Sequence, residues 1–204
     1  YFDPRVGYFA DSYTSFTDDQ QRVKDKNFIV RWRLEPKPED IEKMKAGELV
    51  EPKKPIIYYI DPATPKKWRK YLIAGVNDWQ KAFEKAGFKN AIMAKEWPEN
   101  DSTMSMEDAR YSVIRYLASP IENAYGPQVH DPRSGEILES HICWYHNVMR
   151  LVHDWYMIQA SSVDPEARCM KFNDELMGEL IRFVSSHEVG HTLGLRHNFG
   201  SSST

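Results

Sequence analysis

Near its C-terminal end the chain carries His187-Glu188-Val189-Gly190-His191-Thr192-Leu193-Gly194-Leu195-Arg196-His197, a spacing of the form H-E-x-x-H-x-x-G-x-x-H. On a helix, His187 and His191 share one face, about 6 Å apart along the axis at about 1.5 Å per residue. Both imidazoles can therefore reach one metal ion. Glu188 sits beside them, placed to accept a proton from a metal-bound water rather than to ligate. A straight helix would carry His197 away from the other two. Gly194 is the residue type that tolerates the φ > 0 turn needed to fold the chain back. The chemistry this pattern points to is hydrolysis. His187, His191 and His197 hold Zn²⁺ as neutral imidazoles, the fourth position is left to water, and Glu188 serves as general base.

A helix must present these residues, and the sequence supplies one. Asn173 is its expected N-cap, with Asp174 and Glu175 in the first turn, where carboxylates favour the helix dipole. Leu176, Leu180, Phe183 or Val184, His187 and His191 recur at spacings of three and four. The two histidines thus continue an apolar stripe and are expected to face inward.

Upstream, residues 56–60 (Ile-Ile-Tyr-Tyr-Ile) read as a strand. Thr64 as N-cap and Pro65 at the first helical position open one long amphipathic helix, closed by Gly87, whose Trp and Phe stripe reads as core. Residues 91–94 and 111–117 read as two further strands, with a polar loop over 99–105 between them. Residues 124–129 and 136–138 flank turn chemistry at 130–135 and form a hairpin. Pro127 makes its first arm an edge strand. The second arm runs on to residue 146, and a helix over about 147–160 precedes the zinc-motif helix, with Leu151, Trp155 and Ile158 or Met157 on one face. This order predicts an α+β (α/β-like) fold: a twisted, mixed sheet with packed helices, the second or third main helix carrying the motif. Residues 5–9 and 27–34 read as β runs separated by a polar loop, and a short helix near 39–46 interrupts a Pro-rich, charged stretch, ending at Gly47. Residues 1–50 are read as an N-terminal extension and linker, and 51–204 as the catalytic subdomain.

With 204 residues and 41% hydrophobic content, the chain can bury a sizeable single core. A net charge of −3 gives no electrostatic footprint for nucleic acid. The basic cluster Lys66, Lys67, Arg69 and Lys70 reads as a solvated helix face. No run of about 18 apolar residues would span a membrane. The chain opens on Tyr1 with no signal-peptide pattern, so it reads as excised from something longer, and export stays open. Cys143 and Cys169 could pair or remain free thiols. His130, His141, His146 and His153 are read as ordinary histidines rather than a fourth ligand.

Through His187, Glu188, His191, Gly194 and His197 the sequence resembles the metzincin clan of zinc endopeptidases. Through residues 55–61, 75–91, 126–138 and 185–202 it is similar to the bacterial Met-zincin group of secreted or cell-surface zinc proteases. The resemblance implies a zincin-like subdomain, a Zn²⁺ cofactor, a peptide or protein substrate and a location outside the cytoplasm: secreted, periplasmic or cell-surface. It implies that the strand over 124–129 pairs with an extended substrate. Metzincins also carry a methionine turn downstream of the third His, which these 204 residues lack, so a C-terminal subdomain is expected in a longer parent. Asn198 does not match the markers of the matrixin, astacin or adamalysin branches. One rival reading is a catalytically silent module that holds zinc or peptide, against which the intact Glu188 argues. Another is a structural zinc site, which three histidines beside a glutamate suit poorly, because such sites are closed and cysteine-rich.

Overall fold

The computed structural model describes residues 2–98 and 100–198. The expected loop at Glu99 and the resembling stretch beyond residue 198 thus fall partly outside the described residues. In chain order the elements are β1 (Ala10–Ser15), β2 (Lys24–Ile29), α1 (Ile41–Lys45), β3 (Ile56–Ile60), α2 (Lys66–Asn77) and α3 (Gln80–Lys85). Then come β4 (Ile92–Glu96), β5 (Ser112–Leu117), β6 (Ala124–Tyr125), β7 (Gln128–His130), β8 (Ile137–Tyr145), α4 (Val148–Ala160) and α5 (Asp174–Thr192).

The main sheet has the order β4-β3-β5-β8-β6, with β7 also on β8. β3 runs parallel to β4 and β5, and β5 parallel to β8, while β6 and β7 pair antiparallel with β8. The fold is therefore α+β with a mixed sheet whose antiparallel members lie at one edge. Alternation along β3 buries Ile56, Tyr58 and Ile60 on one face, as strand geometry requires. That face joins Leu72 and Val76 of α2, Ile142 and Trp144 of β8, and Ile181, Val184 and Val189 of α5 in one core. Among the described residues no helix is long and apolar enough to cross a membrane.

Helices α2 and α5 cross at very close range. A β-carbon on Gly75 would lie 2.5 Å from the Arg182 carbonyl oxygen and 2.6 Å from Ser185 Cβ, so glycine is what lets the two backbones meet. Arg182 clamps the crossing through two hydrogen bonds to Asp78, at 2.8 and 2.7 Å.

Several sequence expectations are corrected. The single long helix closed by Gly87 is two, interrupted at Asp78 and Trp79, where the Trp79 indole donates to the Ser186 carbonyl at 2.8 Å. Thr64 does not cap α2: its buried hydroxyl has no partner, and Pro65 occupies the capping position. The β run at residues 5–9 is a turn followed by an isolated bridge at Tyr8, and the strand lies further on, at Ala10–Ser15. That strand escapes a hydrophobic reading because β1 and β2 form a two-stranded hairpin exposed on both faces. Both cysteines are free.

Candidate metal centre

Helix α5 begins as its sequence demands. The Asn173 side chain accepts a hydrogen bond from the Leu176 amide at 2.7 Å, satisfying one of the orphan N–H groups of the first turn. Its far end closes at Gly194, where φ is +100°. The Gly194 amide donates to the His191 carbonyl at 3.0 Å and the Leu195 amide to that of Gly190 at 3.1 Å, the paired bonds of a Schellman turn. A β-carbon at 194 would run into the Val30 carbonyl. Trp32 satisfies another terminal carbonyl, its indole donating to Thr192 O at 2.9 Å.

This turn brings the three histidines together. His187 Nε2 lies 3.2 Å from His191 Nε2, and His197 Nε2 lies 3.1 Å from each of the others. Tetrahedral zinc with Zn–N bonds of about 2.0–2.1 Å sets its ligand nitrogens about 3.3–3.4 Å apart, so the triangle fits such an ion. The tautomer fits as well. His191 Nδ1 is 2.9 Å from the Leu195 carbonyl, which only accepts, so Nδ1 carries the proton and Nε2 offers its lone pair inward. No arrangement of protons makes all three edges of the triangle good hydrogen bonds, whereas one cation uses three lone pairs. Among the described residues this is the one group of His, Cys, Asp and Glu drawn close enough to hold a metal ion.

The expected inward orientation of these histidines is corrected. His187 and His197 are exposed and His191 is half-buried. The face of α5 turned to the core is instead Gly178, Ile181, Val184, Ser185, Glu188, Val189 and Thr192. The histidines lie at the border of that face and open into a cavity of about 630 Å³. Its walls come from Ala124 and Tyr125 of β6 with the adjoining Gly126, Val148, Leu151, Val152 and Trp155 of α4, and Phe183 and Val184 of α5. Ile158, expected on the same face as Leu151 and Trp155, is 79% exposed beyond it.

Glu188 also lines the cavity and is only 8% exposed. Burial pushes its carboxyl above the ordinary value, with the nearby His191 pulling the other way. Partial desolvation where its ring meets the cavity wall, then the proximity of His191 and His197, pushes the His187 imidazole down, towards the neutral form that ligates. The other histidines have partners of their own: His130 with Asp11 at 3.3 Å, His141 with Glu139 at 3.0 Å, His146 with the Tyr116 hydroxyl at 2.6 Å and His153 with Asp154 at 2.9 Å.

Sequence reasoning misses Phe9, whose ring centroid lies 6.1 Å from that of His191 and which lines the cavity. Nothing in its local sequence announces a residue that meets the motif from more than 180 positions away.

Residues 169–204 match the model of the family described as Met-zincin, and residues 1–37 match that of a domain of unknown function, DUF5117. No curated protein and no solved structure matches the chain. The first match takes in the histidine triad, Glu188 and Gly194, so the C-terminal segment is similar to a zinc-metallopeptidase family.

Proposed function

We propose that the chain is the zinc-binding part of an endopeptidase in which His187, His191 and His197 hold Zn²⁺ and Glu188 is the general base. The observation that carries this reading is the convergence of three Nε2 atoms within 3.2 Å of one another beside a buried glutamate. Zinc bound there supplies a Lewis acid for the scissile carbonyl and lowers the pKa of water.

The chain's own residues do the rest. Glu188, held in the cavity wall with its carboxyl raised by burial, takes a proton from the attacking water and hands it to the leaving amine. The short antiparallel strands β6 and β7 at the sheet edge offer main-chain groups to an extended peptide. The apolar walls from α4 and Phe183 take an apolar substrate side chain. The family resemblance extends the proposal to a location outside the cytoplasm; cell fractionation that finds the protein in the cytosol rejects that extension.

The test joins metal content to turnover. The unmodified chain should carry close to one zinc, and Glu188→Ala should keep the zinc while peptide hydrolysis falls by about 10²–10⁴-fold. Undiminished hydrolysis in Glu188→Ala rejects the role given to Glu188. Zinc without any hydrolysis in the longer parent, C-terminal subdomain included, would favour the silent binding module instead.

A further inference from the structure

The third histidine is not on the helix. It sits three residues past Gly194, and the segment that leads to it is paired with the opposite end of the sequence. Tyr8 and Leu195 form an antiparallel bridge. The Phe9 amide donates to the Gly194 carbonyl at 2.7 Å, and the Arg196 amide to that of Gly7, also at 2.7 Å. Residues 7–9 are themselves anchored, because the Val30 amide donates to the Phe9 carbonyl at 2.9 Å. Helix α5 fixes His187 and His191 relative to each other by its own hydrogen bonds. It cannot fix His197.

We propose that residues 7–9 form a positioning segment for the metal: by pairing with residues 194–196 they hold His197 at the triad, and through the Phe9 ring they wall the metal's cavity. The inference rests on the metal-site reading above. It means that the segment resembling DUF5117 and the segment resembling Met-zincin build one centre, each supplying what the other lacks.

The test uses the whole chain. Phe9→Pro deletes the amide that bonds Gly194, whereas Phe9→Leu keeps it and changes only the ring. Zinc affinity is read by chelator competition, coordination by the visible bands of the Co²⁺-substituted protein, and fold by the melting temperature of the metal-free forms. Phe9→Pro is expected to bind zinc about 10- to 100-fold more weakly, the usual cost of losing an outer-shell support. Its cobalt bands should weaken as a ligand is exchanged for water, while Phe9→Leu, which keeps the pairing and opens only the wall, keeps the band intensity of three histidine ligands. A Phe9→Pro variant with lower melting temperature but unchanged affinity and cobalt bands overturns the inference and leaves the metal site standing. No metal uptake by the unmodified chain overturns both. Amide exchange at Arg196 in the unmodified chain needs no variant: slow exchange is expected, and exchange at the solvent rate overturns the pairing.

Discussion

The Tyr58 hydroxyl lies 2.6 Å from Thr192 Oγ1, and Thr192 in turn donates to the Val189 carbonyl at 2.7 Å. Since the threonine proton is committed to Val189, the tyrosine must be the donor. Strand β3, deep in the sheet, is thus tied to the last turn of α5, one residue past His191. Tyr58→Phe should destabilise the chain by about 1–2 kcal/mol, the cost of leaving a buried hydroxyl short of a partner. Urea unfolding measures it, and combination with Thr192→Val should cost less than the sum of the two. Unchanged stability in Tyr58→Phe would remove this tie from the account.

Gly75→Ala separates two effects of opposite sign. Helix propensity alone would make the variant more stable by about 1 kcal/mol. The new methyl, however, meets the Arg182 carbonyl and Ser185 Cβ of α5, both held by a helix that cannot step aside cheaply. Overpacking at such a contact costs about 1–3 kcal/mol, so a net loss is expected in thermal unfolding. A gain would mean that α2 and α5 are less tightly engaged than described.

Acid should loosen the same crossing. Hydrogen bonds from Arg182 hold the Asp78 carboxyl below its ordinary range, against a smaller opposing effect of burial. A carboxyl depressed on folding adds stability that is fully present above its unfolded value, about pH 3.9, and is lost as pH falls through the lower folded value. Asp78→Asn should therefore be less stable than the unmodified chain at neutral pH, and the gap should close below about pH 4. Urea midpoints across that window give the difference directly. A gap that stays constant with pH excludes this pair as its source.

Metal should stabilise the fold by mass action. Zinc at 100 times its dissociation constant adds about 2.7 kcal/mol. At about 2–4 °C per kcal/mol for a chain of this size, the melting temperature should rise by about 5–10 °C. Chelation should reverse the rise, and His191→Ala should abolish it. An equal rise in His191→Ala would place the bound zinc elsewhere.

How much of this is written in the sequence depends on how local the determinant is. The histidine spacing, the Asn173 cap and the glycine turn are settled within a few residues, and each is readable in order along the chain. The burial of α5 is not. Its contact ridge runs through Gly178 and Ser185, small residues that carry no weight in a hydrophobic pattern yet mark where α2 comes closest. The stripe left Phe183 or Val184 open as its core member: Val184 is buried, while the larger Phe183 is 66% exposed and lines the cavity. The split at Trp79 is equally hidden, because its cause is an indole bond to Ser186, more than 100 positions away. The edge-strand reading of residues 124–129 succeeds for a local reason: Pro127 cannot donate to a ladder, and the structure breaks between β6 and β7 at Gly126 and Pro127.

The Schellman turn at Gly194 has a kinetic side. The carbonyl of Gly190 and that of His191 both close this turn, and His191 is also a proposed ligand whose ring proton is held by Leu195. Local opening costs less than global unfolding. Each fraying of the last turn of α5 would then slacken two of the three imidazoles at once, so metal should leave at the pace of that opening rather than of global unfolding. Deuterium uptake at the Leu195 amide and the release of zinc to a chelator should run on one clock.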